Sequence, residues 1–271
     1  MNATTPAEIV RLNRGVAARR DVDELTVEEP LEIRVEGHTI AIVMRTPGED
    51  RELAAGFLLT EGVIKSAKDV FDITTCVPSG GAGNAVDVAL ANPGSFNAEK
   101  LTRHVFTSAS CGICGKTSID AVMKRRRPLR DATTVAASVL RALPRRLLRV
   151  QSNFHRTGGL HACALFDAGG EMIAMREDVG RHNALDKLVG HALLEKRTPL
   201  TGHVVLLSGR ASFEMLQKSY AGGIAIVAAI GAPSSLAVDF AKESGQTLVG
   251  FLRGRTMNIY AGAERIAAQK A

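Results

Sequence analysis

The run HVVLLSGRASFEMLQKSYAGGIAIVAAIGAPSSLAVDFAKESGQTLVGFL, residues 203–252, alternates two patterns. His203 to Leu207, Ile224 to Ile230 and Thr247 to Leu252 are short, mostly apolar runs, the pattern of strands buried on both faces. Ser212 to Tyr220 and Ser234 to Ser244 separate them with helical spacing. Such alternation predicts an α/β layer with helices packed on a sheet. The pattern starts further upstream. Leu160 to Phe166 and Met172 to Arg176 read as strands flanking the turn Ala168-Gly169-Gly170, and Arg181 to Lys196 reads as a helix.

Toward the N-terminus the elements are mixed. Thr133 or Thr134 is placed to cap a helix running through Leu143. Val105 to Ser110 is β-like, and Lys116 to Arg125 is helical. Leu31 to Val35 alternates apolar and charged residues; Thr39 to Arg45 follows the turn Glu36-Gly37-His38, which predicts a hairpin. Glu49 to Glu61 places Leu53, Ala54, Phe57 and Leu58 at helical spacing, and Asn84 to Ala91 reads as another strand. These form a smaller α+β unit over 21–104, with residues 1–20 expected as a flexible arm.

The chain has 271 residues, enough for one large domain or two unequal ones. Apolar residues at 45% and charged residues at 23% are the mix of a soluble protein with a core. Trp is absent and aromatics make up 4%, so the core rests on aliphatics and no aromatic platform for nucleic-acid bases is expected. The net charge of +6 suits anionic partners. It is concentrated in Lys124, Arg125, Arg126, Arg127, Arg130, Arg141, Arg145, Arg146 and Arg149, opposed only by Asp131. That stretch reads as a solvated helix face with a turn at Pro128. No apolar run approaches the roughly 18 residues that span a bilayer. Met1 to Arg20 has no hydrophobic stretch of a secretory kind. A cytoplasmic protein is expected, with neither membrane nor nucleic acid as partner. Cys76, Cys111, Cys114 and Cys163 then do not read as a disulfide framework.

Ser108-Ala109-Ser110-Cys111-Gly112-Ile113-Cys114-Gly115 joins a strand pattern to a helix pattern. Glycine after each cysteine permits a tight turn. A helix starting just beyond would aim its unpaired N–H groups at the sulfurs and favour thiolate. Three chemistries fit the pair. Zinc is one, with His161 and Cys163 completing the ligands for a hydrolase or deaminase. A deaminase, however, pairs its Pro-Cys-x-x-Cys with His-x-Glu, whereas here Ser110 precedes the pair and no His-x-Glu occurs. A redox pair is the second, though such motifs follow the first strand of a small domain. Sulfur transfer is the third: one thiolate attacks a sulfane sulfur and the other resolves or relays it.

Other candidates sit at strand and helix ends. Glu177-Asp178-Val179-Gly180-Arg181-His182-Asn183 leads into a helix, whose N-terminal end favours anions. Ser208-Gly209-Arg210 and Gly231-Ala232-Pro233-Ser234-Ser235 each follow a strand, where open α/β sheets gather ligands. Phe251-Leu252-Arg253-Gly254-Arg255-Thr256 sets two arginines around a glycine, a suitable grip for phosphates.

Together these stretches resemble one family, the formate dehydrogenase accessory sulfurtransferases, or FdhD family. The matching runs are 110–115, Thr157-Gly158-Gly159-Leu160-His161, 177–184, Leu207-Ser208-Gly209-Arg210, and 247–251 with Arg253. The resemblance implies a cytidine-deaminase-like α/β main domain over 105–271, a central mixed sheet flanked by helices, in a homodimer. It implies that persulfide sulfur comes from a cysteine desulfurase. That sulfur goes to a molybdenum bis(molybdopterin guanine dinucleotide) cofactor, bound as substrate, for the formate dehydrogenase apo-enzyme. Cys111, the persulfide carrier, and Cys114 become the catalytic pair. Phe251, Leu252, Arg253, Gly254, Arg255 and Thr256 become the cofactor-binding segment. Asp178, Gly180, Arg181, His182, Asn183, Ser208, Gly209 and Arg210 are further candidates for holding the dinucleotides, with Asp178 or Asn183 reading a guanine. No permanent metal is expected. A cofactor-binding chaperone without sulfur transfer is the non-enzymatic alternative.

Overall fold

The computed structural model describes residues 2–76, 84–96 and 127–267. Cys111 and Cys114 lie outside them, as do Lys124, Arg125, Arg126 and the elements expected over 105–110 and 116–125. Along the chain run β1 (Thr4–Arg11), β2 (Arg19–Thr26), β3 (Glu29–Val35), β4 (His38–Arg45), α1 (Asp50–Thr60), β5 (Val70–Cys76) and β6 (Ala85–Leu90). Then follow β7 (Val135–Ala136), α2 (Ala137–Val150), α3 (Ser152–Thr157), β8 (His161–Asp167), β9 (Met172–Asp178) and α4 (Arg181–Leu194). The last group is β10 (His203–Leu207), α5 (Phe213–Ala221), β11 (Ile226–Ala229), α6 (Ser235–Ser244), β12 (Thr247–Arg253), β13 (Thr256–Ala261) and β14 (Ile266–Ala267).

The architecture is mixed α/β. Six strands form the central sheet in the order β13-β12-β11-β10-β8-β9. β10, β11 and β12 run parallel, and the outer pairings are antiparallel. Successive side chains face opposite sides of a sheet, so each buried strand feeds two cores. Val205, Leu207 and Val227 join Leu185 of α4, Leu216 of α5 and Phe240 of α6 on one face. Val204, Leu206, Ile226 and Ala228 pack against Leu140, Leu143 and Leu147 of α2 on the other.

A second sheet, ordered β4-β3-β6-β5, turns Leu31, Ile33, Val86 and Val88 into the first core. Residues of the first third and of the last half therefore share one cluster. α1 carries this unit against α4. A Cβ on Gly56 would sit 1.8 Å from Asp186 O, and one on Gly190 1.8 Å from Glu52 O. Only glycine lets these two helices touch backbone to backbone.

Three expectations change. Neither Thr133 nor Thr134 caps the helix before Leu143: it starts at Ala137 with Ala136 in the cap position, after the short strand β7. The helix expected to run through Leu143 continues past Pro144 to Val150. An interior proline costs about 3 kcal/mol. Burying Leu140, Leu143 and Leu147 completely, at about 2 kcal/mol each, outweighs it. The first 20 residues, expected as an arm, hold β1 and enter an antiparallel hairpin with β2. Its faces are largely exposed, so no buried alternation marks it in the sequence. It is fixed at its base, where the Thr26 and Thr157 hydroxyls bond at 2.9 Å and Glu24 pairs with Arg156 at 2.6 Å. Among the described residues no helix is long and apolar enough to cross a membrane.

Candidate functional site

β10, β11 and β12 end at one edge of the central sheet, and antiparallel β8 begins there. Between this edge and the α2–α3 corner lies a cleft of about 630 Å³, within the usual range for small-molecule sites. Pro144, Arg145, Leu148, Gln151 and Phe154 form one wall. The turn Gly158–His161, Ser208, Ile230 and Gly254 form the other. Three loops singled out in the sequence thus meet on one side, and a wall from α2 and α3 faces them.

The loops are stacked through backbone. Ser208 Oγ accepts from the Ala162 N–H at 2.9 Å. A Cβ on Gly209 would lie 3.2 Å from His161 Nδ1, so glycine lets the imidazole rest on the loop. Gly231 N donates to Gly209 O, and Phe251 N donates to Gly231 O, both at 3.0 Å. Phe251 has φ 50°, a left-handed backbone that costs a non-glycine residue roughly 1–3 kcal/mol. The Gly231 bond and the Arg253 guanidinium, 5.5 Å from its ring centroid, hold it there. α3 is seated from the other side, where Phe154 N donates to Glu177 Oε1 at 3.2 Å. Burial pushes the Glu177 carboxyl up, against the pull of such donors.

The rim is cationic. Arg145, Arg210 and Arg255 are exposed and make no ion pair among the described residues. Arg253 keeps its Nε 3.4 Å from Ile230 O. Inside, burial lowers the His161 pKa, helped by the charges of Arg181 and His182. The cleft therefore joins the His161 imidazole, which burial biases toward its neutral form, to Arg145 on its lining, with further exposed arginines on the adjoining loops, an arrangement for a partly planar, anionic ligand.

Several expected ligand-binding residues are engaged within the fold. Asp178 is fully buried. Its Oδ1 accepts from Gly180 N at 2.8 Å and Asn183 Nδ2 at 3.0 Å. Its Oδ2 accepts from Thr46 N at 3.1 Å and pairs with Lys187 Nζ at 2.9 Å. With four donors engaged, this carboxylate orders the loop and has no free edge for a guanine. Asn183 also ties α4 to β4 through Met44 O at 2.7 Å. Leu252 is wholly buried in the core between the central sheet and α2. Gly180 starts α4. His182 Nε2 lies 2.8 Å from Glu214 Oε2. Among the described residues, Arg181 Nε, Ser212 Oγ and Gln217 Nε2, on the helices this contact joins or next to them, are buried without a hydrogen-bond partner.

Cys163, weighed above as a zinc ligand, is a buried thiol whose pKa burial pushes far up, which disfavours the thiolate that zinc binds. Among the described residues no group of three His, Cys, Asp or Glu side chains is placed to hold a metal. Arg145, Leu148 and Phe154 were not singled out as ligand-facing by the sequence. Nothing local in α2 or α3 says which strand ends they cover.

A family model described as the FdhD/NarQ family matches residues 26–267. The chain belongs to this family. It is 51% identical to the sulfur carrier protein FdhD of Mycolicibacterium paratuberculosis, over 98% of this chain and 100% of the relative. It is 50% identical to the protein of that name from Streptomyces coelicolor, over 99% and 97%. A crystal structure assigned as a formate dehydrogenase accessory protein from Desulfotalea psychrophila superposes with a TM-score of 0.80 at 26% identity. That likeness covers 98% of this chain and 100% of the other. The FdhD/NarQ match takes in the whole cleft and begins at the last residue of β2.

Proposed function

We propose that this chain is a sulfur carrier for formate dehydrogenase maturation. The observation that supports it best is the family match over residues 26–267, with relatives named as sulfur carriers at about half identity over nearly their whole length. In this reading the Cys111 thiolate attacks the terminal sulfur of a cysteine desulfurase persulfide. A new S–S bond forms on Cys111, and the desulfurase cysteine leaves as thiolate. Attack of Cys114 on the Cys111 sulfur then forms a Cys111–Cys114 disulfide and expels hydrosulfide. Cys114 supplies the electron pair, and a dithiol reductant returns the pair to thiols.

The acceptor is the molybdenum cofactor with its two guanine dinucleotides, bound as substrate. The arginine-rimmed cleft suits its phosphates and a flat base, and neutral His161 can exchange hydrogen bonds with a base without adding charge. The chain works in the cytoplasm as a homodimer and hands the finished cofactor to the formate dehydrogenase apo-enzyme. The test is intact-protein mass spectrometry after incubation with an active cysteine desulfurase and cysteine. A reducible gain of about 32 Da, one sulfur on a thiolate, is expected on the peptide holding Cys111 and is absent in Cys111→Ala. No gain in the wild-type chain sinks the carrier reading and leaves a cofactor chaperone.

A further inference from the structure

Neither hydrophobic cluster holds a residue of the β1–β2 hairpin; both begin beyond it. Val10, Leu12, Val16, Val22 and Leu25 are exposed at 49–74%, and residues 10–20 are exposed throughout. The hairpin is tied at its base, to Thr157 and Arg156. Two strands alone are marginal in water and need a third strand or a packed face. The two edges of the hairpin differ. Val27 N donates to Ala3 O at 2.9 Å, next to the pair Thr4 and Thr26. Odd-numbered residues therefore bond across the hairpin, and the main-chain groups of even-numbered ones point outward. On β1 one outward position is Pro6, which has no N–H to offer. On β2 the outward positions are Arg20, Val22 and Glu24, each with a donor and an acceptor. The Val22 and Glu24 N–H groups donate at 3.0 Å to the carboxylates of the residues before them, Asp21 and Asp23. β2 is thus the edge able to take a further strand.

We infer that β2 pairs with β2 of a second copy about a two-fold axis at Val22, joining two hairpins into a four-stranded antiparallel sheet. The inference rests on the homodimer reading under Proposed function and names a surface that makes the dimer. That surface precedes residue 26, where the family match begins. Charge order selects the occupant. Arg20, Val22 and Glu24 share one face, with opposite signs at equal distance on either side of the valine. In an antiparallel pair centred on Val22, Arg20 of each copy lies opposite Glu24 of the other, and the two valines meet between them. Opposite charges and apolar residues directly across a ladder attract, while like charges repel. Glu24 then lies between Arg156 of its own copy, at 2.6 Å, and Arg20 of the other. On the reverse face Asp21 meets Asp23 of the other copy, but Arg11 and Arg19 already neutralise Asp21 at 2.9 and 3.1 Å. Centring the pair on Asp21 or Asp23 instead sets a carboxylate against its own copy. The ladder is short, so the dimer belongs with interfaces under about 1,200 Å², with a dissociation constant of micromolar order.

The test is sedimentation equilibrium of the full chain from low micromolar to submillimolar concentration. Arg20→Glu alone and Glu24→Arg alone each set like charges across the axis twice, and each is expected to weaken association about tenfold. An equimolar mixture of the two variants should associate as the wild type does, because every new charge then faces its opposite in the other copy. Val22→Pro removes an outward N–H, spares the bonds between β1 and β2, and should abolish the dimer with the melting temperature unchanged. Arg14→Glu reverses a charge in the turn and should leave association as it is. If the wild-type chain is dimeric and the mixture is no tighter than either variant alone, the strand pairing is overturned while the homodimer stands through another face. If the wild-type chain is monomeric throughout, the homodimer reading falls and takes this inference with it. A persulfide on Cys111 in the mass experiment stands apart from both outcomes.

Discussion

The seam between α1 and α4 and the cleft at the sheet edge are built from the same residue types, glycine and charge, yet use them in opposite ways. At the seam every charge has a partner. Lys187 is sealed against Asp178 at 2.9 Å and Thr46 O at 2.9 Å. Lys218 gives its protons to Thr60 at 2.9 Å, Glu61 at 3.0 Å and Asp186 at 2.9 Å. Burial works against the Lys218 charge, but the carboxylates of Asp186 and Glu61 outweigh it and hold the ammonium protonated. At the cleft Arg145, Arg210 and Arg255 are exposed and make no ion pair among the described residues. Pairing therefore separates the charges that hold the fold from those free to meet a ligand.

The contrast can be broken hardest at Lys218. Lys218→Met leaves Asp186 buried without its ammonium, and loss of one partner of a buried pair costs about 3–5 kcal/mol. Urea unfolding of Lys218→Met beside the double variant Lys218→Met, Asp186→Asn measures this. The second change should recover part of the loss, and no recovery would mean that the ion pair is not what stabilises the seam. Next comes Gly190→Ala. Its methyl group would meet the Glu52 carbonyl at 1.8 Å. The helices must part, at a cost of about 3 kcal/mol, read as a lower urea midpoint with the slope unchanged.

The smallest effect sharpens the cleft side. The His161 pKa lies below its ordinary value of about 6.5 because the fold buries it beside Arg181 and His182. The unfolded chain then takes up the proton first, so the stability associated with neutral His161 is complete above pH 6.5 and is lost as pH falls below it. His161→Gln should flatten that acidic limb of the stability curve and leave stability near pH 8 within experimental error. An unchanged slope between pH 6.5 and 5 would place His161 in solvent.

Much of this was readable in the chain. His203 to Leu207 matches β10 residue for residue, and Ser234 to Ser244 differs from α6 only at its cap. Buried parallel strands have no polar face, so continuous apolar runs mark them directly. The strand-end loops were legible for a related reason, since they interrupt such runs. Asp178 was misleading because a carboxylate beside a helix start looks the same in sequence whether it faces a ligand or Lys187. The helix read through Leu143 stopped short because the burial of Leu147, which carries it on to Val150, was not visible locally. The β1–β2 hairpin and the Arg145 wall were out of reach, since each is defined by what it lies against: Thr157 for one, Ile230 and Gly254 for the other.

The contact of α1 with α4 also sets an order of events on the ribosome. Thr60 bonds to Asp186, 126 residues further on. Gly56 has no backbone to rest on until α4 has been made. At synthesis rates of about 5–20 residues per second, that interval is roughly 6–25 s. During it Leu53 and Leu58, fully buried in the finished molecule, lack their α4 partner. The first third of the nascent chain is thus expected to be a client for holding factors until residues 181–194 emerge and close the core.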